Sequence, residues 1–205
     1  MSRRIYDFGL PDRFVAGTIG QPGSRTFFLQ ARRGGALVSV ILEKVQVQVL
    51  AERTMLLLAE VARRGVRVPE ALAPADDDTV PLDEPLVEAF RVGTMTLAWN
   101  SDRDEIVIEA RAQVEEDETD EDEADAEVEE EVEEEDEEGE EEDELSDDDP
   151  DGPDLVRVHL TPIRARGFAE RALRIVAAGR PPCPLCGQAL DPTGHLCPRR
   201  NGYVH

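Results

Sequence analysis

The sequence predicts an α+β fold in which two main helices pack on an antiparallel sheet. Three observations support this class. Short runs rich in β-branched and aromatic residues are separated by turns that contain glycine or proline. Two longer runs have helical periodicity, and all three cysteines lie beyond residue 182 in a short hairpin-like segment. A long acidic run between two of the strand candidates predicts a disordered loop.

The first half of the chain has three strand candidates followed by a helix. The strands are predicted at residues 13–19, 25–32 and 36–43, with turns at GQPGS and RGG between them. Residues 44–64 begin with VQVQVL, whose alternation is typical of a strand. The run is too long for an ordinary strand, however, and its leucines share a helical arc that ends before Gly65, a residue suited to a helix C-terminus. A helix is therefore predicted there.

The second half has a hairpin, one further strand and the clearest helix. Residues 66–84 contain three prolines and are predicted to form a loop. Residues 88–100 and 105–114 flank SDRD as a hairpin, and residues 155–160 form another strand candidate. Thr161 is a suitable N-cap with Pro162 at the first helical position, and Gly179 marks the end of this helix.

The net charge of −25 comes from one segment. Residues 115–151 hold 28 of the 47 acidic residues and no Lys or Arg, so the remaining 19 acidic residues are set against 22 basic ones. Such a segment repels itself and has too few apolar side chains to offset its ordering entropy. It is either a polyanion that binds basic proteins or a solvated insert that aids solubility, and the second interpretation is simpler.

These observations divide the chain into one interrupted domain and a C-terminal segment. Residues 1–114 are the N-terminal part of the α+β domain, residues 115–153 are the disordered acidic insert, residues 154–180 are the final strand and helix of the same domain, and residues 181–205 are a zinc-knuckle-like segment. An insert of this length adds little closure entropy, because that cost grows only with the logarithm of loop length.

The segment CPLCG is typical of a zinc knuckle. A tight turn between the cysteines of C-x2-C aims both sulfurs at one ion, and Gly187 lets backbone amides turn toward the sulfur. A tetrahedral site needs two further ligands, which His195 and Cys197 supply across a turn at DPTG. The sequence therefore predicts one structural zinc ion bound by Cys183, Cys186, His195 and Cys197.

Alternatives to this zinc site stay open. The second half of the motif has H-x-C spacing, which is unusual, although residues two apart in an extended strand point the same way. His205 and His159 are weaker candidates for the fourth ligand. The cysteines are otherwise a redox pair or three thiols without a metal. A redox C-x-x-C normally opens a helix, whereas here a predicted helix precedes the pair.

Six arginines near the C-terminus are candidate anion-binding or partner-binding residues: Arg164, Arg166, Arg171, Arg174, Arg199 and Arg200. On a helical wheel, Arg166, Arg171 and Arg174 lie opposite the apolar arc, which predicts a solvent-facing surface. Solvated arginines on an amphipathic helix are the simpler explanation. Nucleic-acid binding is not expected, because the aromatic residues typical of an RNA-binding sheet are missing.

Catalytic and targeting motifs are missing from the sequence. It has no G-x-S-x-G, Walker P-loop, H-E-x-x-H or G-x-G-x-x-G, and nothing in the sequence pairs with His159 as a base. SRRIY resembles part of a twin-arginine signal, but Pro11 and charged residues interrupt the apolar run that must follow. No run approaches the ~20 apolar residues that span a bilayer. Three clustered cysteines are unlike a secreted disulfide framework, so a cytoplasmic location is expected.

Two stretches are distinctive together: YDFGLPDRFVAGTIGQPGSRTFFLQA near the start and LTPIRARGFAERALRIVAAGRPPCPLCGQALDPTGHLCPRRNGY at the end. Through them the chain resembles the DUF3090 family of uncharacterised actinobacterial proteins. The resemblance covers nearly the whole chain except the acidic segment, which looks like a lineage-specific expansion. It implies a single conserved domain of unknown activity.

The expected function is that of a non-enzymatic interaction or adaptor protein, whose zinc hairpin and arginine-bearing helix form the docking surface. The alternative is a phospholigand-binding accessory protein, or an enzyme with an arginine-lined site. The expected partner is accordingly another protein or a phosphorylated ligand, with no membrane. A deep polar pocket containing Arg32, Arg33 or Arg164 would favour the alternative, and a flat apolar patch would favour the adaptor.

Overall fold

The computed structural model describes residues 3–69, 80–114, 152–179, 183–187 and 197–200. These residues form seven strands, two helices and a final 3-10 turn, which confirms the α+β class. The strands are β1 Ile5–Phe8, β2 Arg13–Ile19, β3 Thr26–Arg33, β4 Ala36–Leu42, β5 Glu88–Asn100, β6 Glu105–Ala112 and β7 Leu155–Leu160; the helices are α1 Lys44–Arg63 and α2 Pro162–Ala177; the turn is Pro198–Arg200.

Most predicted elements occur where the sequence places them. β2, β5 and β7 have the predicted bounds, and the ends of β3, β4 and β6 differ from prediction by one or two residues. Both predicted helices are confirmed. β1 was not predicted, because four residues that include a charged Asp7 give too short a pattern to recognise as a strand.

The seven strands form one sheet in the order β1-β7-β6-β5-β4-β3-β2. The sheet is mixed, which corrects the expectation of a wholly antiparallel one: β1 pairs with β7 in parallel, and so does β4 with β5. A parallel pair needs a long crossover connection, and α1 lies in the connection between β4 and β5. Because β1 pairs with β7, the first and last strands of the described chain are neighbours in the sheet.

Both helices pack on one face of this sheet. Because side chains alternate along a strand, Ile106, Ile108 and Ala110 of β6 join the helices in the apolar core, whereas Glu105 and Glu109 belong to the opposite face. Each fully buried large aliphatic side chain contributes about 1.5–3 kcal/mol to stability. Neither helix in the described residues is long and apolar enough to cross a membrane.

The end of α1 and the start of α2 lie where the sequence predicts them, α2 ends at Ala177 rather than at Gly179, and the bond at the start of α1 was not predicted. At the start of α1, the Glu43 backbone N–H donates to Gln46 Oε1 at 2.8 Å. After its end, Gly65 has a φ of +94°, the left-handed conformation that closes many helices and that glycine adopts without strain. At α2, Thr161 is the N-cap residue and Pro162 begins the helix.

Residues 80–83 lie against the sheet face that the helices leave open. The Asp83 backbone exchanges two hydrogen bonds with the Gln30 side chain, at 2.8 and 3.1 Å. A Cβ added to Gly17 would lie 2.5 Å from Leu82 Cδ2, so only glycine allows this close approach without a shift of the leucine. Polar and apolar contacts together therefore hold this segment to β2 and β3.

The strand ends that flank the acidic segment lie next to each other in the sheet. Arg111 of β6 pairs with Leu155 of β7, and the Ala112 N–H donates to the Asp154 carbonyl oxygen at 2.8 Å. The segment itself, with its predicted disorder, lies outside the described residues. Because its two anchor points are adjacent, a short linker has the reach to join them.

We expect that replacing residues 115–151 with a short Gly/Ser linker leaves the free energy of unfolding within about 1 kcal/mol of the full-length value, since shortening a loop changes closure entropy only slightly. Thermal melting at matched salt checks this. A loss of several degrees in melting temperature would contradict it, because that loss would show that the segment packs on the domain.

Candidate metal centre

Cys183 and Cys186 are placed by a tight turn that comes shortly after α2 in the chain. The Gly187 backbone N–H donates to the Cys183 carbonyl oxygen at 2.9 Å, and Gly187 has a φ of +77°. The Leu185 backbone N–H donates to Cys183 Sγ at 3.4 Å. This is the turn expected of the C-x2-C-G motif, and its glycine adopts the left-handed conformation that other residues avoid.

Cys197, which lies later in the chain, is close in space to Cys183 and Cys186. The three Sγ atoms all lie within 4.8 Å of one another. Cys183 and Cys197 are buried, and Cys186 is partly exposed. All three cysteines of the chain are therefore brought together, although they are separated by up to fourteen positions in sequence.

The sulfur spacing fits metal ligation rather than a disulfide. Cys183 Sγ and Cys197 Sγ are 3.9 Å apart, whereas bonded sulfurs lie about 2.05 Å apart. Two sulfurs, each about 2.3 Å from one tetrahedral ion, would be about 3.8 Å apart. None of the three cysteines forms a disulfide. The three cysteines could therefore hold one metal ion.

The electrostatics of Cys183 favour the thiolate that a metal needs. Burial raises the pKa of this thiol, but hydrogen bonds from the backbone amides of Cys186 and Leu185 and from the thiols of Cys186 and Cys197 lower it. The net effect is a pKa below the ordinary cysteine value. Thiolates are the ligands that zinc prefers in structural sites.

The three histidines that are candidates for the fourth ligand lie in different parts of the chain. His195, the predicted fourth ligand, and His205 lie outside the described residues. His159 is on β7 and faces Glu105, so it is occupied elsewhere. The redox interpretation gains no support, because residues 183–187 form a turn and no helix begins among them.

The prediction that Arg171 lies on a solvent-facing arc is wrong. Its side chain is buried, with 8% of the residue exposed. Arg171 Nε donates to the Ala16 carbonyl oxygen at 3.0 Å, and Nη2 donates to the Val80 carbonyl oxygen at 2.9 Å. β2 is an edge strand, so some of its carbonyl groups have no strand partner and accept bonds from the neighbouring helix. Arg171 therefore ties α2 to the sheet edge and to residues 80–83.

The other candidate arginines do not share one face with Arg171. Arg164 donates to the Pro11 carbonyl oxygen. Arg166 is partly buried, whereas Arg174 and Arg199 are exposed. Arg200 belongs to the 3-10 turn that follows Cys197. Anion binding by the exposed arginines stays a prediction, but the single arginine surface expected from the helical wheel is not formed.

Sequence reasoning also missed a histidine–carboxylate pair on the open face of the sheet. His159 Nδ1 lies 3.2 Å from Glu105 Oε2, and 15% and 12% of the two side chains are exposed. Beside it, Glu109 accepts bonds from Arg157 Nε at 2.6 Å and from Arg111 Nη2 at 2.9 Å. Alternation along β6 and β7 indicates the shared face, but only the strand register brings these residues together. The Arg157–Glu109 and Arg111–Glu109 bonds form an ion-pair network across the sheet, beside the His159–Glu105 contact.

Comparison with known proteins identifies the family. The family model described as Protein of unknown function (DUF3090) matches residues 6–197. No curated protein and no solved structure matches the chain. The matched range includes the whole described sheet except Ile5, both helices and all three cysteines. The chain therefore belongs to the DUF3090 family.

Proposed function

We propose that this protein is a non-enzymatic interaction protein whose C-terminal segment is held by one structural zinc ion. The observation that supports this most directly is the clustering of the Cys183, Cys186 and Cys197 sulfurs within 4.8 Å of one another. In this proposal His195 is the fourth ligand. Four protein ligands close the coordination sphere, so the ion stabilises structure and leaves no position for a substrate.

Energetics support the need for a metal in this segment. Its large aliphatic side chains are chiefly Leu185, Leu190 and Leu196, and 41% of Leu185 is exposed. Full burial of a leucine contributes about 1.5–3 kcal/mol, whereas ordering the backbone costs about 1–2 kcal/mol for each residue. A bound structural zinc contributes about 10 kcal/mol or more. Apolar contacts alone therefore do not hold this segment, and a bound metal would add to its stability.

The interaction surface in this proposal is an apolar stripe on α1. Val45, Val49 and Leu56 are 62%, 45% and 62% exposed. Their spacing of four and seven residues places them on one side of the helix, away from the buried side that packs on the sheet. Single exposed apolar residues are ordinary on protein surfaces, but an aligned set is typical of a contact site.

The occupant that fits this stripe is a second copy of the chain. Glu52 and Arg53 are both exposed at the centre of α1, between Val49 and Leu56. In an antiparallel pair of α1 helices related by a two-fold axis, Val49 lies opposite the partner's Leu56, and Glu52 lies opposite the partner's Arg53. Each contact then occurs twice, so the part of the stripe from Val49 to Leu56 is complementary to itself in both shape and charge.

We expect the Leu56→Glu variant to weaken this dimer by at least about 100-fold, because two symmetry-related leucines each lose about 1.5 kcal/mol or more of burial. Sedimentation velocity over a concentration series measures the change. Val87→Glu is the matched control, since Val87 is 70% exposed and lies outside α1. A wild-type monomer at all concentrations, or equal dimerisation of Leu56→Glu and Val87→Glu, would refute the proposed interface.

A further inference from the structure

A cleft of about 780 Å³ lies between the turn that joins β2 to β3, the start of α1 and the end of α2. Its walls include Arg25, Phe27, Lys44, Gln48, Leu173 and Val176. This volume is within the range of about 300–1,000 Å³ that is typical of small-molecule sites. Among the described residues that line the cleft, none is acidic. The cleft is therefore positively charged.

The two cations in the cleft lack carboxylate partners in the described part of the chain. Arg25 Nη1 donates to the Ala178 carbonyl oxygen at 2.6 Å, but Arg25 Nε is buried and has no hydrogen-bond partner there. Lys44 Nζ lies 3.7 Å from the position that a Cβ on Gly179 would take, so the lysine extends toward the end of α2. A buried donor without a partner is destabilising, and an anionic ligand that bonded it would remove that penalty.

Part of the cleft lining is apolar. Phe27 comes from β3, and Leu173 and Val176 come from the last two turns of α2. Small-molecule sites commonly combine an apolar lining with a few polar groups that fix orientation. A ligand that matches both the two cations and the apolar residues of the cleft has an anionic end and an apolar body.

We propose that this cleft binds a small molecule that carries a phosphate monoester and an apolar group. The phosphate dianion matches the two positive charges of Arg25 and Lys44. The proposed ligand places its phosphate beside Arg25 and Lys44, because charge-assisted hydrogen bonds from such side chains to phosphate oxygens are strong. None of the described residues that line this cleft is one of the three cysteines.

A purely structural role for the same cations makes a different prediction. Arg25 and Lys44 lie near the last carbonyl groups of α2, where positive charge stabilises the end of a helix. If that were their whole role, neutral variants would lower the melting temperature and phosphate esters would not bind. Ligand binding and thermal melting therefore have to be measured on the same variants.

The probe is phenyl phosphate, titrated into the full-length protein and followed by NMR chemical shifts. We expect saturable binding with shifts at Lys44, Phe27 and Val176, weaker binding of benzoate and inorganic phosphate, and none of phenol. Lys44→Gln is expected to weaken the binding of phenyl phosphate by about tenfold or more, because one charge-assisted bond is lost. Arg103→Gln, an equal charge change in the exposed β5–β6 turn, is the control and should keep wild-type affinity.

Arg25→Gln provides a second test, with its folding checked by thermal melting because Arg25 also bonds the end of α2. A comparable loss of affinity in a folded Arg25→Gln protein is expected. Absence of saturable phenyl phosphate binding to the wild type, or equal dissociation constants for the wild type and Lys44→Gln, would overturn the proposal.

Discussion

Replacing Cys186 with serine is expected to release the proposed zinc ion and unfold the C-terminal segment while the sheet stays folded. Outer groups that only orient a metal ligand contribute about 10–100-fold to metal affinity, so loss of a thiolate ligand should exceed about 100-fold. Hydrogen exchange at residues 183–187 and 197–200 should then approach unprotected rates. Exchange in β6 and β7 should not change, because the core of those strands involves none of the cysteines.

Leu185→Ser is the matched control for this substitution. Leu185 lies in the same turn and is 41% exposed, but it has no side-chain atom that binds a metal. This variant should keep one zinc ion and wild-type exchange. If Cys186→Ser retained zinc with the affinity of Leu185→Ser, Cys186 would not be a ligand and the proposed site would be wrong.

An Arg171→Ala chain is expected to lose about 3 kcal/mol in free energy of unfolding, or roughly 6–12 °C in melting temperature. The residue makes two bonds from a charged donor to the Ala16 and Val80 carbonyl oxygens, and each such bond contributes about 1.5–3 kcal/mol. Denaturant unfolding and thermal melting measure the loss. The free energy of unfolding of Arg171→Lys should lie between those of the wild type and Arg171→Ala, because an ammonium group lacks the planar fork of a guanidinium.

Arg103→Ala is the control for this stability change, since Arg103 is exposed in a hairpin turn. It should change the free energy of unfolding by less than about 0.5 kcal/mol. If Arg171→Ala were as stable as Arg103→Ala, the bonds to the sheet edge would contribute nothing, and α2 would be held by its apolar contacts alone.

The elements that sequence reasoning recovered are those with strong local patterns. Thr161 and Pro162 indicate where α2 begins, and Gly65 indicates where α1 ends, because capping depends on a few adjacent residues. The SDRD turn likewise predicted the pairing of β5 with β6. Each of these features depends on chemistry within about ten residues.

The features that were missed depend on contacts between distant parts of the chain. β1 has four residues, and its partner β7 lies about 150 positions away, so no local pattern indicates their parallel pairing. A helical wheel separates polar from apolar positions, but it does not show that an edge strand offers Ala16 O to Arg171. The His159–Glu105 pair similarly depends on the register of β6 and β7.

The cysteine cluster was predictable because the sequence spacing of the cysteines largely determines how close their sulfurs come. A C-x2-C-G turn brings Cys183 and Cys186 together through local hydrogen bonds alone. The return of Cys197 to within 3.9 Å of Cys183 followed from the short hairpin expected between them. The identity of the fourth ligand has no comparable local rule, and His195 stays a prediction that metal affinity of His195→Ala tests.

Zinc content of the full-length protein, purified without added metal or chelator, tests the proposed metal centre most directly. Elemental analysis should find one zinc per chain, with the three thiols protected from a thiol reagent until a chelator removes the ion. A zinc content well below one per chain, with all three thiols freely titratable, would contradict the account.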